Sequence, residues 1–303
     1  MSTFTVKATI ATFGGRLYKL SHTSATTGTP MNVNVFLPPQ TISALKKVPV
    51  LYYLSGLTCS PENCSEKGFL QAQAARHGIA IVYPDTSPRG LQLAAEHESW
   101  DFGEAASFYL DATTEGYSSH YRMESYLTKE LPEALFGSEQ FAAHLDQDRQ
   151  SITGHSMGGH GALTLYLRHP GRYRSVSAFA PISNPTRCPW GQKAFRGYLG
   201  PADVEITPES ATDASIPAAW KEHDATELVK KWKGDLKMLI DVGTADNFYK
   251  QKQLLPENLE KAAKDAGLTG LTVRYQDAYD HSYYFISSFG QDHVDHAAKY
   301  LLA

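Results

Sequence analysis

Short apolar runs alternate with helical patterns along most of this 303-residue chain, and this alternation constrains its fold more than any other feature. The runs end in turn residues and lack polar alternation, which is typical of strands buried on both faces. Strands alternating with helices predict a mostly parallel α/β sheet with helices on both faces. The predicted strands are Val50–Leu54, Ile79–Tyr83, Ser151–Thr153, Ser175–Phe179, Met238–Val242 and Leu271–Tyr275. The predicted helices are Glu66–His77, Tyr121–Phe136, Met157–Arg168, Leu254–Ala266 and Ser287–Leu302.

The first 40 residues follow a different pattern, which predicts antiparallel edge strands at Phe4–Ile10, Arg16–Leu20 and Met31–Leu37. No internal repeat or low-complexity tract divides the chain. The polar stretch Pro201–Ser215 is predicted to be a surface excursion that is too short to separate two domains. We therefore expect residues 1–303 to form a single domain.

The charge balance argues against a nucleic-acid partner. The 28 Lys and Arg residues against 32 Asp and Glu leave a net charge of −4, and no basic run is present. Three cysteines on a long chain indicate reduced thiols. No signal peptide and no apolar segment of membrane-spanning length is evident. We expect a soluble, cytoplasmic protein without a membrane partner.

The segment Gly154–Gly158 matches the G-x-S-x-G pattern of a nucleophile elbow. The predicted strand Ser151–Thr153 precedes it and the predicted helix Met157–Arg168 follows it, which is the strand–turn–helix context that the motif requires. The glycines allow a sharp turn that leaves the Ser156 hydroxyl above the sheet. The alternative interpretation is an ordinary strand-to-helix turn with a serine N-cap. The flanking pattern favours a nucleophile.

A serine nucleophile needs a histidine base and an acid, in the order Ser…Asp/Glu…His. His281 follows the predicted strand Leu271–Tyr275 through a short loop, so we predict that it is the base. Other histidines fit less well. His293 and His296 lie on the predicted terminal helix, where we expect surface residues, and His155 and His160 flank the elbow on the wrong element.

We predict Asp246 as the acid because it follows the strand Met238–Val242, at the sheet edge where α/β proteins bind ligands. Asp241 lies within that strand, where burial without partners would be unfavourable. Asp280 adjoins His281 in sequence, and neighbouring side chains generally diverge. These two residues remain the alternatives.

The oxyanion of an acyl-transfer reaction needs two backbone N–H donors. One is predicted at Met157, directly after the nucleophile, and the other in the loop that begins at Ser55. Gly56 would let that loop approach the site, which makes the N–H of Leu57 the second donor. The alternative is that Ser55-Gly56 is simply a turn.

Several motifs together resemble the S-formylglutathione hydrolases, the esterase D family. The motifs are Ser55–Cys59, Pro84–Gly90, Ser99–Gly103, Gly154–Gly159, Pro189–Phe195 with Gly197–Gly200, and Asp280–Phe285. The resemblance extends from Gly14 to the C-terminal helix and implies an α/β-hydrolase fold and a triad at the positions predicted above. It also implies oxyanion amides at Leu57 and Met157. Two departures are Glu104–Ser107, where the family pattern is rich in glycine, and Pro201–Ser215, which is longer than usual.

The implied substrate carries a single-carbon acyl group, so a narrow pocket would exclude larger acids. Aromatic residues beside the motifs are candidates for its wall, although each of them could equally be a core residue: Trp100, Phe102, Trp190 and Tyr283. Lys193 is a candidate contact for the glutathione carboxylates, against the alternative of a solvated helix face. Cys59 lies two residues after Leu57, and we hypothesise that its modification obstructs acyl entry.

We therefore expect a serine hydrolase that cleaves S-formylglutathione through a formyl ester on Ser156. The expected partner is a small glutathione thioester, a homodimer is left open, and no metal or cofactor motif is found. A broad short-chain carboxylesterase is the nearest alternative. A catalytically silent binding protein of the same fold is disfavoured because all three triad positions hold competent residues.

Overall fold

A single mixed sheet organises the chain. The computed structural model describes residues 4–43, 46–201, 207, 210, 212 and 214–303. Within these residues the strands are β1 (Thr5–Thr12), β2 (Gly15–Thr23), β3 (Pro30–Leu37), β4 (Val48–Leu54), β5 (Ala80–Pro84), β6 (Leu145–His155), β7 (Val176–Phe179), β8 (Met238–Gly243) and β9 (Leu271–Gln276). Their order in the sheet is β1-β2-β3-β5-β4-β6-β7-β8-β9.

The sheet changes from antiparallel to parallel at β5. Strands β1, β2, β3 and β5 pair antiparallel in that order, whereas β5, β4, β6, β7, β8 and β9 pair parallel. The predicted antiparallel N-terminal edge and the predicted parallel centre are both confirmed. All residues of β4, β5, β7 and β8 are buried, as their continuous apolar runs predict.

Helices fill the connections between the strands. They are α1 (Pro39–Ser43), α2 (Pro61–Lys67), α3 (Leu70–His77), α4 (Met123–Ser125), α5 (Leu131–Phe136), α6 (Met157–Arg168), α7 (Pro189–Leu199), α8 (Ala218–Lys221), α9 (Ala225–Val229), α10 (Asn247–Lys250), α11 (Pro256–Asp265) and α12 (Tyr283–Leu301). A 3₁₀ turn spans Pro185–Arg187. Helices α6 and α12 both pack on β6 and β7, with α9 beside α6 and α3 beside α12, so the helices cover both faces.

Two helices replace the single helix predicted over Glu66–His77. The first, α2, begins earlier because Ser60 and Asn63 form a capping box in front of Pro61. It stops at Gly68, and Phe69 then takes a left-handed conformation with φ +57° before α3 begins. A non-glycine residue at positive φ gives little warning in the sequence, so the break was not predicted.

The helix predicted over Tyr121–Phe136 is present but irregular in its middle. A π-helical turn, Tyr126–Glu130, lies between α4 and α5, and the Leu131 N–H donates to the carbonyl of Tyr126. Pro132 follows directly at the start of α5 and has no N–H to continue the α-helical pattern. The predicted helix thus continues past Pro132 because one turn before it is π-helical.

The buried apolar side chains form one connected cluster, and we infer a single domain from that cluster and the single sheet. Part of the predicted excursion Pro201–Ser215 lies outside the described residues. Among the described helices, none has the length and apolar character needed to cross a membrane.

Candidate active site

The segment between β6 and α6 has the strained geometry of a nucleophile elbow. Ser156 has φ +57° and ψ −120°, a backbone conformation that residues other than glycine rarely adopt. A Cβ on Gly154 would lie 2.2 Å from the carbonyl oxygen of Gly158. A Cβ on Gly158 would lie 2.0 Å from the carbonyl oxygen of Leu54. Both glycines are required because strand, turn and helix approach too closely for any side chain.

His281 and Asp246 form a direct pair. The Nδ1 atom of His281 lies 2.5 Å from Oδ2 of Asp246, whose side chain is fully buried. The other carboxylate oxygen of Asp246 accepts hydrogen bonds from the N–H groups of Phe248, at 2.7 Å, and Tyr249, at 3.3 Å. Asp246 therefore caps the N-terminus of α10, and this second attachment holds the oxygen that faces His281 in place.

The His281 ring lies against the elbow. Its centroid is 4.4 Å from that of His155, the residue directly before Ser156. On another side it meets the ring of Phe248 edge to face, with the centroids 4.8 Å apart. The structure thus brings the His281–Asp246 pair to the segment that carries Ser156. The contact of Phe248 with His281 was not predicted, although the position of Phe248 two residues after the predicted acid Asp246 could have indicated it.

The segments that carry the two predicted oxyanion donors pack on each other. We call Ser55–Cys59 the oxyanion loop. A Cβ on Gly56 would lie 3.1 Å from Cβ of Ser156, so this loop packs directly on the elbow. Among the described residues, no acceptor takes the N–H of Leu57 or of Met157. Both donors are therefore available to a ligand oxygen, as an oxyanion hole requires.

The alternative acids have other partners. Asp241 is fully buried and accepts hydrogen bonds from Arg274 and from His293, whose Nε2 lies 2.9 Å away. The prediction that His293 is a surface residue is therefore wrong, because its ring is fully buried and hydrogen-bonded to Asp241. Asp280 accepts the N–H and hydroxyl of Ser282 at 3.0 and 2.6 Å.

Aromatic rings continue outward from His281. Phe248 packs on Trp190, with centroids 4.7 Å apart, and Trp190 meets Trp100 edge to face at 5.5 Å. Trp190 is 6 % exposed and Trp100 is 53 % exposed, so this row of rings runs from the buried base to the surface. Trp190 and Trp100 are thus placed as candidates for the pocket wall.

Phe102 lies in a different aromatic cluster from Trp190 and Trp100. Its ring stacks on Tyr198 with centroids 4.6 Å apart and meets Tyr117 at 5.4 Å. A Cβ on Gly197 would lie 2.2 Å from the Phe102 ring. These contacts favour the alternative interpretation of Phe102 as a core residue.

Lys193 is engaged by an acidic neighbour. Its ammonium donates to the hydroxyl of Ser99 at 2.7 Å and forms an ion pair with Asp101. A charge that is already paired attracts a glutathione carboxylate less strongly than a free one does. The geometry thus weakens the predicted role of Lys193 as a carboxylate contact.

Cys59 ends the oxyanion loop, and the side chain of Tyr283 lies beside it. Cys59 is buried, and burial raises the pKa of its thiol. The hydroxyl of Tyr283 is buried near Cys59, and its ring lies 6.2 Å from that of His155. A buried thiol holds less of the reactive thiolate, so we expect its modification to be slow. In the described part of the chain, no cluster of His, Cys, Asp and Glu is arranged to hold a metal ion.

Comparisons with known proteins agree with this geometry. Residues 24–296 match the model of the family described as "Putative esterase". The S-formylglutathione hydrolase of Rattus norvegicus is 47% identical over 292 residues, with 96% of each chain covered. That of Arabidopsis thaliana is 48% identical over 290 residues, with 95% of each covered.

The same relation holds in three dimensions. The solved structure of an S-formylglutathione hydrolase from Agrobacterium tumefaciens matches with a TM-score of 0.86 at 43% identity. The match covers 98% of this chain and 99% of the other. The motifs, the α/β-hydrolase fold and these relatives lead to one conclusion: the chain belongs to the S-formylglutathione hydrolase family of esterases.

Proposed function

We propose that this chain hydrolyses S-formylglutathione to formate and glutathione through a formyl ester on Ser156. The observation that carries the proposal is the 2.5 Å contact between His281 and Asp246, placed against the strained turn at Ser156. Family membership supports the substrate, because the relatives named above share nearly the whole length of the chain.

In the first half of the reaction, Ser156 Oγ attacks the thioester carbonyl and its proton passes to Nε2 of His281. Asp246 holds the imidazole in the correct tautomer through Nδ1 and stabilises the imidazolium that forms. The carbonyl oxygen becomes an oxyanion that accepts the two free N–H groups of Leu57 and Met157.

Collapse of this intermediate breaks the carbon–sulfur bond and leaves the formyl group on Ser156. Because thiols ionise near pH 8.5, glutathione leaves readily, either with the proton from His281 or as a thiolate while His281 releases its proton to solvent, and the imidazole is neutral again in both cases. Water then attacks the formyl ester, with His281 accepting its proton, and formate is released as Ser156 regains its hydrogen.

Trp190, Trp100 and Tyr283 are proposed to border the acyl and leaving-group sites. A cytoplasmic location is also proposed, supported by three free cysteines, Cys59, Cys64 and Cys188.

Two experiments test the proposal. Values of kcat/KM are compared for S-formylglutathione and a series of p-nitrophenyl acyl esters, and we expect the formyl thioester to be strongly preferred. A preference for butyryl or longer esters would support the broad carboxylesterase instead. A fluorophosphonate should label the folded wild-type protein and not the Ser156→Ala variant. Absence of labelling in the wild type would point to a catalytically silent binding protein.

A further inference from the structure

The turn that presents Leu57 is strained and is held from outside. The Cys59 N–H donates to the carbonyl of Gly56 at 3.3 Å, which closes a β-turn with Leu57 and Thr58 in its centre. Thr58 has φ +65°, a conformation that favours glycine and opposes a β-branched side chain. A strained turn at a functional site persists only when surrounding contacts over-determine it.

Those contacts come largely from Pro84–Gly90, a motif that the reaction itself does not use. The carbonyl oxygen of Cys59, at the end of the turn, accepts the hydroxyl of Thr86 at 2.6 Å and Nη2 of Arg89 at 2.9 Å. In the middle of the turn, the Thr58 N–H donates to the carbonyl of Ala105 at 3.0 Å. The end that precedes Leu57 is held separately, because the Tyr109 hydroxyl donates to the carbonyl of Ser55 at 2.7 Å.

Arg89 is itself fixed by a buried carboxylate. Its Nε lies 3.0 and 2.9 Å from the two oxygens of Asp85, and its Nη2 lies 2.8 Å from Oδ1. Asp85 is only 2 % exposed and also accepts the Thr86 N–H at 2.8 Å. The planar guanidinium therefore has one orientation, and that orientation directs Nη2 at the oxyanion loop.

We propose that Arg89, oriented by Asp85, is a positioning residue that keeps the strained Gly56–Cys59 turn in the form that aims the Leu57 N–H at the oxyanion. The inference rests on the proposed function, since it deepens the account of the same site. Arg89 acts on the transition state through Leu57 and touches no reacting atom, so its loss should lower kcat and leave KM nearly unchanged.

The test begins with Arg89→Met. Removing one oxyanion donor typically lowers the rate by about 10²–10³, so a displaced Leu57 should lower kcat by about 10- to 100-fold. A trifluoromethyl ketone, whose adduct carries an oxyanion, should lose affinity by the same factor. Arg149→Met is the matched control, because it removes an arginine from a pair with Asp146, 2.7 Å away, that does not contact the loop.

Two further variants separate positioning from folding. Asp85→Asn/Arg89→Met removes the unpaired buried charge, and kcat should stay as low as in Arg89→Met because the Cys59 carbonyl still lacks the Arg89 donor and keeps only Thr86. Thr58→Gly/Arg89→Met should recover most of the lost kcat, because glycine accepts φ +65° without strain and the turn no longer needs its external support. The melting temperature of each variant is measured to check that the variant is folded.

The outcomes distinguish this inference from the proposed function. If wild type hydrolyses S-formylglutathione but Arg89→Met keeps a normal kcat, or Thr58→Gly gives no rescue, the positioning role is wrong and the proposed function stands. If wild type fails to hydrolyse the thioester, the proposed function itself fails whatever the Arg89 variants show.

Discussion

The carboxylate of Asp246 and the imidazole of His281 meet at 2.5 Å, although 35 positions separate them in the chain. The contact forms because β8 and β9 are parallel neighbours, so the loops that follow them leave the same edge of the sheet. The second oxygen of Asp246 caps α10, which prevents the carboxylate from rotating away. The topology therefore creates the pair, and the helix cap orients it.

Asp246→Asn should lower kcat by about 10³- to 10⁴-fold with little loss of fold, because an amide favours the wrong tautomer of the imidazole and cannot stabilise an imidazolium. Steady-state hydrolysis of S-formylglutathione measures the effect. Asp280→Asn is the control, since Asp280 adjoins His281 but hydrogen-bonds Ser282. A near-normal rate for Asp246→Asn, or an equal loss for Asp280→Asn, would contradict the choice of acid.

Gly56→Ala should lower kcat by about 10-fold or more, because the added Cβ would lie 3.1 Å from Cβ of Ser156 and push the oxyanion loop from the elbow. Gly290→Ala is a matched control, in which the new Cβ would meet the side chain of Leu70 at the same 3.1 Å, away from the elbow. Kinetics with the formyl thioester and thermal unfolding are measured for both. Equal rate losses in the two variants would indicate a general packing effect.

Trp190→Ala should broaden the acyl range, because Trp190 packs on Phe248, which in turn contacts His281. We expect kcat/KM for p-nitrophenyl butyrate to rise relative to the acetate, while the formyl thioester becomes a poorer substrate. Phe102→Leu is the control, since Phe102 lies in the Tyr117–Tyr198 cluster. An unchanged butyrate-to-acetate ratio in Trp190→Ala would remove Trp190 from the pocket wall.

The strands that pass through the centre of the sheet could be predicted because burial on both faces leaves a continuous apolar run. Strand β6 shows where this rule ends. Only Ser151–Thr153 was predicted, whereas the strand spans Leu145–His155, and its first half carries charged, partly exposed residues. The register with β4 passes from the pair Val48 and Leu145 to the pair Val50 and Gln150, so the residues between Leu145 and Gln150 form a bulge, which an apolar pattern does not predict.

The candidate site was predicted in outline because the order of its residues and the edge of the sheet are readable from the sequence. The environment of each histidine was not. His293 and Asp241 are 52 positions apart in the sequence, and a local pattern on the helix cannot predict a contact between residues so far apart. The ring of His155 beside His281 was missed for the same reason, since the two belong to different elements.

Ala105→Gly should stabilise the protein. Ala105 has φ +60° and lies in Glu104–Ser107, the segment where glycine was expected from the family resemblance. Left-handed backbone costs a non-glycine residue about 1–2 kcal/mol, which exceeds the roughly 0.4–1 kcal/mol of extra chain entropy that glycine brings to the unfolded state. We expect the melting temperature to rise by about 1–3 °C. Ala106→Gly, at a buried neighbour without positive φ, should lower it, and a fall in both variants would contradict the argument.

Asp241 should make the stability of the fold sensitive to acid. Burial by itself raises the pKa of Asp241, but hydrogen bonds from His293 and Arg274 outweigh it and hold that pKa below its usual value. A carboxyl whose pKa is lower in the folded than in the unfolded state stabilises the fold above the unfolded value, about 3.9, and loses that contribution as the pH falls through the folded value.

We therefore expect Asp241→Asn to lower the free energy of unfolding by about 2–3 kcal/mol at pH 7, because Arg274 and His293 lose a buried charged acceptor. Below about pH 4 the difference between wild type and variant should shrink, since the Asp241 carboxyl of the unfolded wild-type chain then binds a proton while that of the folded state stays ionised. Urea unfolding at pH 7 and pH 3 measures both values. Asp146→Asn, which breaks the more exposed pair with Arg149, should change the pH 7 value by less than about 1 kcal/mol. A difference between wild type and Asp241→Asn that stays constant down to pH 3 would show that the charge of Asp241 does not carry the stabilisation.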